Sequence, residues 1–316
     1  MNLDFEKPVT DLEETIAALK AKGETPDEAT AAEIAQLQQE RDAALAALYK
    51  KLTPWQAVQV ARHPERPLLR DFIQGLFSEF IELHGDRFFA DDQGIIGGFA
   101  KLDEHRVVVI GHQKGKTVDE NIKFNFGMAR PEGYRKALRL MKLAEKYRLP
   151  VVSFIDTPGA YPGADAEERG QAEAIARNLM EMSAIETPIV VVVTGEGGSG
   201  GAVGIGVGDA ILMLSNAVYS VISPEGCASI LWRDGTKAAE AAEALKITAQ
   251  SLFELKIIDE IVPEPPGGAH RDHAATMKAV KDALLKHLKR LHGASVSRLL
   301  SRRYDKFAAM GAPRKS

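Results

Sequence analysis

Apolar positions along this chain fall into two textures. Over the first fifty residues they are sparse and spaced for helices: Leu12, Ile16 and Leu19 repeat on one face before Gly23, and Ile34, Leu37, Leu45, Leu48 and Leu52 form a second stripe among Ala, Gln and Glu. Thr25-Pro26-Asp27-Glu28 offers an N-cap, a first-turn proline and acids at the positive end of the dipole. The second helix is therefore predicted from about Pro26 to Leu52, stopping before Pro54. Such an Ala-rich arm reads as a packing or subunit-contact element. From about residue 94 the texture changes. Apolar, β-branched runs at Val107–Ile110, Val151–Ile155, Ile189–Val193 and Val218–Ile222 alternate with helical patterns at Gly133–Tyr147 and Ala166–Ser183. Continuous runs suit strands buried on both faces, and the alternation predicts an α/β core with a mainly parallel sheet. A last helix, Ala274–His292, carries Val280, Leu284, Leu285, Leu288 and Leu291 on one side and bases on the other, and stops at Gly293.

Composition narrows the function classes. The 316 residues carry a net charge of -4 and are 45% hydrophobic, which places the chain among globular proteins. The near-neutral total conceals a basic excess confined to residues 277–316. A nucleic-acid-binding module through this basic helix is an alternative, but the helix lacks aromatics for stacking on bases, and its leucine stripe calls for a protein surface. One cysteine, Cys227, allows neither an intrachain disulfide nor a four-thiolate zinc site; it is expected to pack near a loop. His84, His105 and His112 are scattered without metal-ligand spacing, so no metal is expected on this chain. With no leader pattern and no long uncharged apolar window, the expectation is a cytoplasmic protein without a membrane contact.

Glycine supplies the chemistry-bearing signal. Eight of the 27 glycines lie within Gly195–Gly208, directly after a predicted strand. A glycine turn opening a small-residue helix presents unpaired N–H groups at a positive helix end, where an anion or a developing oxyanion belongs. Three patterns compete for this loop. The dinucleotide fingerprint at Gly195, Gly197 and Gly200 lacks its acid about twenty residues on, and no Lys-Ser/Thr follows for a phosphate loop. A serine-hydrolase elbow around Ser199, with Asp209 or Asp259 and His270 or His273, remains as an alternative. A second turn, Asp156-Thr157-Pro158-Gly159-Ala160-Tyr161-Pro162-Gly163, follows the strand before it, and both turns are expected at one sheet edge. Neither turn holds a histidine or cysteine, and Glu196 is the sole acid in residues 188–208. Backbone stabilisation of an oxyanion therefore fits better than side-chain acid–base work. Lys114, Lys116, Lys123, Arg130 and Arg135 form a weaker candidate phosphate cradle.

These motifs carry a resemblance. Ile155 through Gly163, Ala166-Glu167-Glu168-Arg169-Gly170-Gln171, Gly195 through Ala202, Val221 through Trp232, Phe126 through Ala137 and Pro263 through His270 together resemble the carboxyltransferase alpha subunit of bacterial acetyl-CoA carboxylase, over nearly the whole chain. The resemblance implies an α/β spiral of ββα units of the crotonase/ClpP type, with an N-terminal helical arm at 1–52, a carboxyltransferase domain at 53–293 and a basic tail at 294–316. It implies transfer of carboxylate from N-carboxybiotin, borne by a biotin carboxyl carrier protein, to acetyl-CoA, giving malonyl-CoA, the committed precursor of fatty acids. The chain would carry no covalent cofactor. It would act only with a beta subunit bearing a zinc ribbon and most of the coenzyme A site, as α₂β₂ in a complex with biotin carboxylase. By the same resemblance the biotin-side oxyanion hole lies at Gly201 and Ala202, flanked by Gly200, with Gly159, Tyr161, Pro162 and Gly163 walling the biotin pocket. Whether the second donor is the amide of Gly201 or of Ala202 is left open by spacing.

Overall fold

The computed structural model describes residues 3–21 and 27–311. The arm is a helical hairpin, α1 (Lys7–Lys20) and α2 (Glu28–Tyr49). Of the expected capping segment, Thr25 and Pro26 lie outside the described residues; Asp27 caps α2, its carboxylate accepting from the Thr30 N–H at 2.8 Å. The helix ends at Tyr49 rather than Leu52, and α3 (Pro54–Ala61) starts anew behind a Thr53–Gln56 capping box. The arm is tied to the body by Arg271, which pairs with Glu13 at 2.6 Å and with Glu6 at 3.1 Å.

After α4 (Leu69–Leu76) come strands β1 (Ser78–Glu82), β2 (Ile95–Leu102) and β3 (His105–His112), then α5 (Val118–Lys123) and α6 (Pro131–Tyr147). The chain continues through β4 (Val151–Thr157), α7 (Ala164–Glu168), α8 (Gln171–Ala184), β5 (Ile189–Gly198) and α9 (Ser199–Val203). It closes with β6 (Ala210–Leu214), β7 (Val218–Ser220), α10 (Pro224–Trp232), α11 (Ala238–Leu245), α12 (Ala249–Glu254), β8 (Glu260–Val262), α13 (His273–Leu291) and α14 (Val296–Ala309). The helix expected over Ala166–Ser183 is broken in two, because Gly170 adopts φ +82° between α7 and α8. Cys227 sits within α10, buried against Ala228 and Ala241, rather than beside a loop.

The sheet runs β1-β2-β3-β4-β5-β6-β8, antiparallel from β1 to β3 and parallel from there on. All seven residues of β4 are buried, as a strand covered by helices on both faces requires. Strand β5 is long enough to take two successive parallel partners on one edge: β6 pairs with Val190–Val193, and β7 pairs with Glu196, Gly197 and Gly198. The far end of β5 is thereby held in a ladder beyond the point where β6 has ended, which fixes the glycine loop that leaves it.

The leucine stripe of α13 finds its protein surface within the chain: Val280, Leu284, Leu288 and Leu291 join the main core. Part of the basic excess is likewise matched internally. Lys286 pairs with Glu260, Lys306 with Asp259 and Lys281 with Asp103. Arg303 of α14, only 1% exposed, pairs with Asp209 at 2.7 Å and donates to the carbonyls of Met182, Ile185 and Thr187. Among the described residues no helix is long and apolar enough to cross a membrane, and no group of three or more His, Cys, Asp or Glu could hold a metal ion.

Replacing Arg303 by Leu strands the buried Asp209 carboxylate without its counter-charge. Unfolding free energy is expected to drop by about 3–5 kcal/mol, the range for breaking a buried pair from one side. Denaturant unfolding measures it, and a loss near zero would show that α14 is not anchored through this pair.

Candidate functional site

Both glycine turns leave the carboxyl ends of neighbouring parallel strands, with Thr157 of β4 in register with Gly197 of β5. They meet backbone to backbone. A Cβ built on Gly198 would lie 2.1 Å from the Pro158 carbonyl oxygen, and one on Gly201 would lie 2.4 Å from the carbonyl carbon of Gly159. Only glycine fits at these two positions. Other glycines of the run serve packing instead: a Cβ on Gly204 would strike the Tyr134 ring at 2.7 Å, and one on Gly208 the Val191 side chain at 2.8 Å.

The first turn is tied down on its far side. Thr157 Oγ1 accepts from the Gly159 N–H at 3.1 Å and donates to the Gly159 carbonyl at 2.8 Å. The Tyr161 N–H donates to the Ala129 carbonyl at 3.0 Å, while Gln171 Nε2 donates to the carbonyls of Ala129 and Tyr161. The Arg130 guanidinium lies over the Tyr161 ring, 4.9 Å from its centroid. Gly163 is crowded by Tyr161, and Pro162 is exposed beside it. Gly159, Gly200 and Gly201 are thus brought together, while Tyr161, Pro162 and Gly163 form the outer arc of the same loop.

The second turn opens α9, with Gly198 as its N-cap. The carbonyl of an N-cap accepts the first intrahelical bond, here from Ala202, so Ser199, Gly200 and Gly201 are left with N–H groups that no helical carbonyl takes. The Gly200 carbonyl accepts from the Gly204 N–H at 3.0 Å. Ser199 holds φ +50°, a conformation that costs a non-glycine residue energy and turns the chain sharply off the strand. Beside Ser199 and Gly200 opens a cleft of about 520 Å³, lined by Val203, Tyr219, Val221, Leu252 and Phe307. It is mostly apolar, and its walls come from elements far apart in the chain.

Charged groups ring this edge but are committed to one another. Glu196 accepts from Arg62 at 2.6 Å, and Arg62 also pairs with Glu225, which keeps the guanidinium firmly protonated. Asp156 accepts from Lys114 Nζ at 2.6 Å and from the Glu196 N–H at 3.0 Å. Arg66, almost wholly buried, pairs with Glu264 at 2.8 Å and donates to the Thr194 carbonyl. Burial opposes the Glu264 charge, but Arg66 and the Asn216 and Ala269 N–H groups outweigh it and hold the carboxyl below its ordinary value. None of these ion pairs was readable from spacing, since each joins residues more than forty positions apart.

The two side-chain alternatives are not assembled. The suggested triad partners of Ser199 lie elsewhere: Asp209 is held by Arg303, Asp259 by Lys306, His270 stacks on His63 at 3.9 Å, and His273 faces the Glu65 carbonyl. The candidate phosphate cradle is dispersed, with Lys114 on Asp156, Lys116 on Asp71 and Arg135 on Asp86. Lys123 and Arg130 face aromatic rings.

The backbone contact makes a stability prediction. Gly201→Ala must push the two turns apart and is expected to cost about 1–3 kcal/mol, as overpacking does. Gly200→Ala, whose Cβ would meet only Ile175 at 3.5 Å, is expected to stay within about 0.5 kcal/mol of the parent. Parallel thermal unfolding of the two variants decides it, and equal losses would contradict the close approach.

Comparison with known proteins matches residues 2–311 to the family model described as acetyl co-enzyme A carboxylase carboxyltransferase-like. A relative from Geobacter metallireducens, named acetyl-coenzyme A carboxylase carboxyl transferase subunit alpha, is 57% identical over 309 residues, 98% of this chain and 96% of the relative. Its namesake from Azotobacter vinelandii is 54% identical, covering 98% of each chain. Among solved structures, the beta subunit of Pseudomonas aeruginosa geranyl-CoA carboxylase superposes with a TM-score of 0.55 at 15% identity, covering 80% of this chain and 45% of that longer one. That likeness is one of fold, the crotonase-type α/β spiral.

Proposed function

The chain belongs to the alpha-subunit family of acetyl-coenzyme A carboxylase carboxyltransferase, and we propose that its glycine turns form the oxyanion site that receives carboxybiotin. In this reading the N–CO₂ bond of carboxybiotin breaks, CO₂ departs, and the bond's electron pair leaves negative charge on the ureido oxygen. Gly200 and Gly201 direct two N–H groups at that oxygen. The ureido nitrogen takes a proton from the methyl carbon of acetyl-CoA, and the resulting enolate attacks CO₂ to give malonyl-CoA. Protons and electrons balance without an enzyme side chain, which agrees with an edge whose carboxylates are already paired.

The observation that carries the reading is the pair of amides at Gly200 and Gly201 that no helical carbonyl takes, with Gly200 beside a cleft. A preorganised donor of this kind contributes about 3–4 kcal/mol to transition-state stabilisation. Ala202 is replaced by Gly200 as the second donor, because the Ala202 N–H closes the first helical turn. Gly159, Tyr161, Pro162 and Gly163 wall the biotin side in this proposal, with the Tyr161 ring held under Arg130.

The partners follow from the same reading. The alpha chain works with a beta subunit, proposed as an α₂β₂ assembly whose beta chain supplies a zinc ribbon and most of the coenzyme A site. Carboxybiotin arrives on a biotin carboxyl carrier protein after charging by biotin carboxylase, in the cytoplasm.

Gly200→Pro deletes one donor N–H at a position whose added Cβ would meet only Ile175 at 3.5 Å, and is expected to lower malonyl-CoA formation by about 100-fold or more while alpha and beta still co-elute. Ser199→Ala is expected to retain turnover. Steady-state assay of the reconstituted complex reads both, and an active proline variant or an inactive alanine variant would sink the proposed roles.

A further inference from the structure

Just before the two turns, the ladder between β4 and β5 slips. Ile155 pairs with Val193 but Thr157 pairs with Gly197, so Asp156 alone stands opposite Thr194, Gly195 and Glu196. Two extra residues on one strand make a bulge, a feature rare in parallel pairs and common beside active sites. Backbone groups pushed out of a ladder need other partners, and here side chains take part. The Arg66 guanidinium donates to the Thr194 carbonyl at 2.7 Å, and the Thr194 hydroxyl donates to the Ile155 carbonyl at 3.3 Å. The Glu196 N–H donates to Asp156 Oδ1 at 3.0 Å. Lys114 Nζ, from the segment after β3, donates to the same oxygen at 2.6 Å and supplies the counter-charge. The buried Asp156 carboxylate also fills the bulge: a Cβ on Gly195 would lie 2.5 Å from Oδ1.

The slip decides which residue meets the first turn. With it, Gly198 falls against Pro158, where a Cβ would lie 2.1 Å from the carbonyl oxygen. Continued without the two extra residues, the register of Ile155 with Val193 would bring Glu196 to that place, and no side chain fits there. Helix α9, which opens at Ser199, would also begin about 7 Å further along the strand. Its first amides would then miss the Gly159 turn.

We propose that Asp156 is a positioning residue of the carboxyltransferase site: its carboxylate, neutralised by Lys114, holds the two-residue slip that seats the start of α9 against the Gly159 turn. Its effect on turnover rests on the oxyanion reading above; its effect on register does not. The role is to place backbone, and the carboxylate exchanges no proton with substrate.

The test uses the alpha chain reconstituted with its beta partner. Asp156→Leu keeps the bulk and removes the acceptor; kcat for malonyl-CoA formation is expected to fall by about tenfold to a hundredfold, as a misplaced catalytic group does, with KM for acetyl-CoA nearly unchanged. Asp156→Asn, which keeps an oxygen for the Glu196 N–H, is expected to recover most of the loss. Hydrogen–deuterium exchange over residues 194–203 reads the register directly: about tenfold faster exchange is expected in the leucine variant and near wild-type exchange in the asparagine one. An unchanged kcat for Asp156→Leu, a loss of kcat without faster exchange, or an asparagine variant as impaired as the leucine one overturns the proposal. If the leucine variant does not assemble, Gly195→Ala replaces it, since its methyl group takes the place of the carboxylate. Lower kcat with faster exchange then supports the proposal, and wild-type values overturn it. A wild-type complex that makes no malonyl-CoA counts against the carboxyltransferase reading instead, and the exchange comparison still decides the role of Asp156 in register.

Discussion

The backbone contact between the turns after β4 and β5 is the constraint on which the site depends. Gly198 against Pro158 and Gly201 against Gly159 bring two main chains to a separation that no side chain permits. Amides at Gly200 and Gly201 thereby become part of a wall rather than a flexible loop. The constraint reaches outward through the sheet. Strand β5 must extend past β6 to carry its glycines over β4, and β7 pairs with that extension so that it does not fray. Thr157, Gln171 and the Ala129 carbonyl hold the opposing turn from the other side.

Electrostatics at this edge complement the backbone. Three carboxylates beside the turns each have a cation: Glu196 has Arg62, Asp156 has Lys114 and Glu264 has Arg66. Paired in this way, they contribute little net negative field. An oxyanion forming beside Gly200 would meet N–H dipoles without nearby uncompensated carboxylates, the arrangement that preorganised stabilisation requires. Removing one cation would leave a buried carboxylate facing the same space, so the pairs protect the site as well as the fold.

The legible parts of the sequence were those where one residue type has one physical use. Runs such as Ile189–Val193 could only be strands buried on both faces, and the glycine turns announced an anion-stabilising loop at one sheet edge. Strand β2 was harder, because Gly97 and Gly98 weaken its apolar run; Gly98 is needed there since a Cβ would lie 2.0 Å from the Ile81 carbonyl oxygen. Strand β6, written Ala-Ile-Leu-Met-Leu, uses helix-forming residues and is a strand only because β5 and β8 flank it. At the site, Gly201 and Ala202 were readable as candidate donors flanked by Gly200; the proposal of Gly200 in place of Ala202 draws on the start of α9, which spacing does not show. The cleft walls at Tyr219 and Phe307 and the Arg62 and Arg66 pairs arise from tertiary proximity and leave no local pattern.

Transfer of isotope from carboxybiotin tests the central claim most directly. With ¹⁴C in the carboxyl group and acetyl-CoA as acceptor, the account predicts label in malonyl-CoA when alpha and beta chains are combined and none with either chain alone. Label transferred by the alpha chain unaided, or no transfer by an assembled complex, would contradict it.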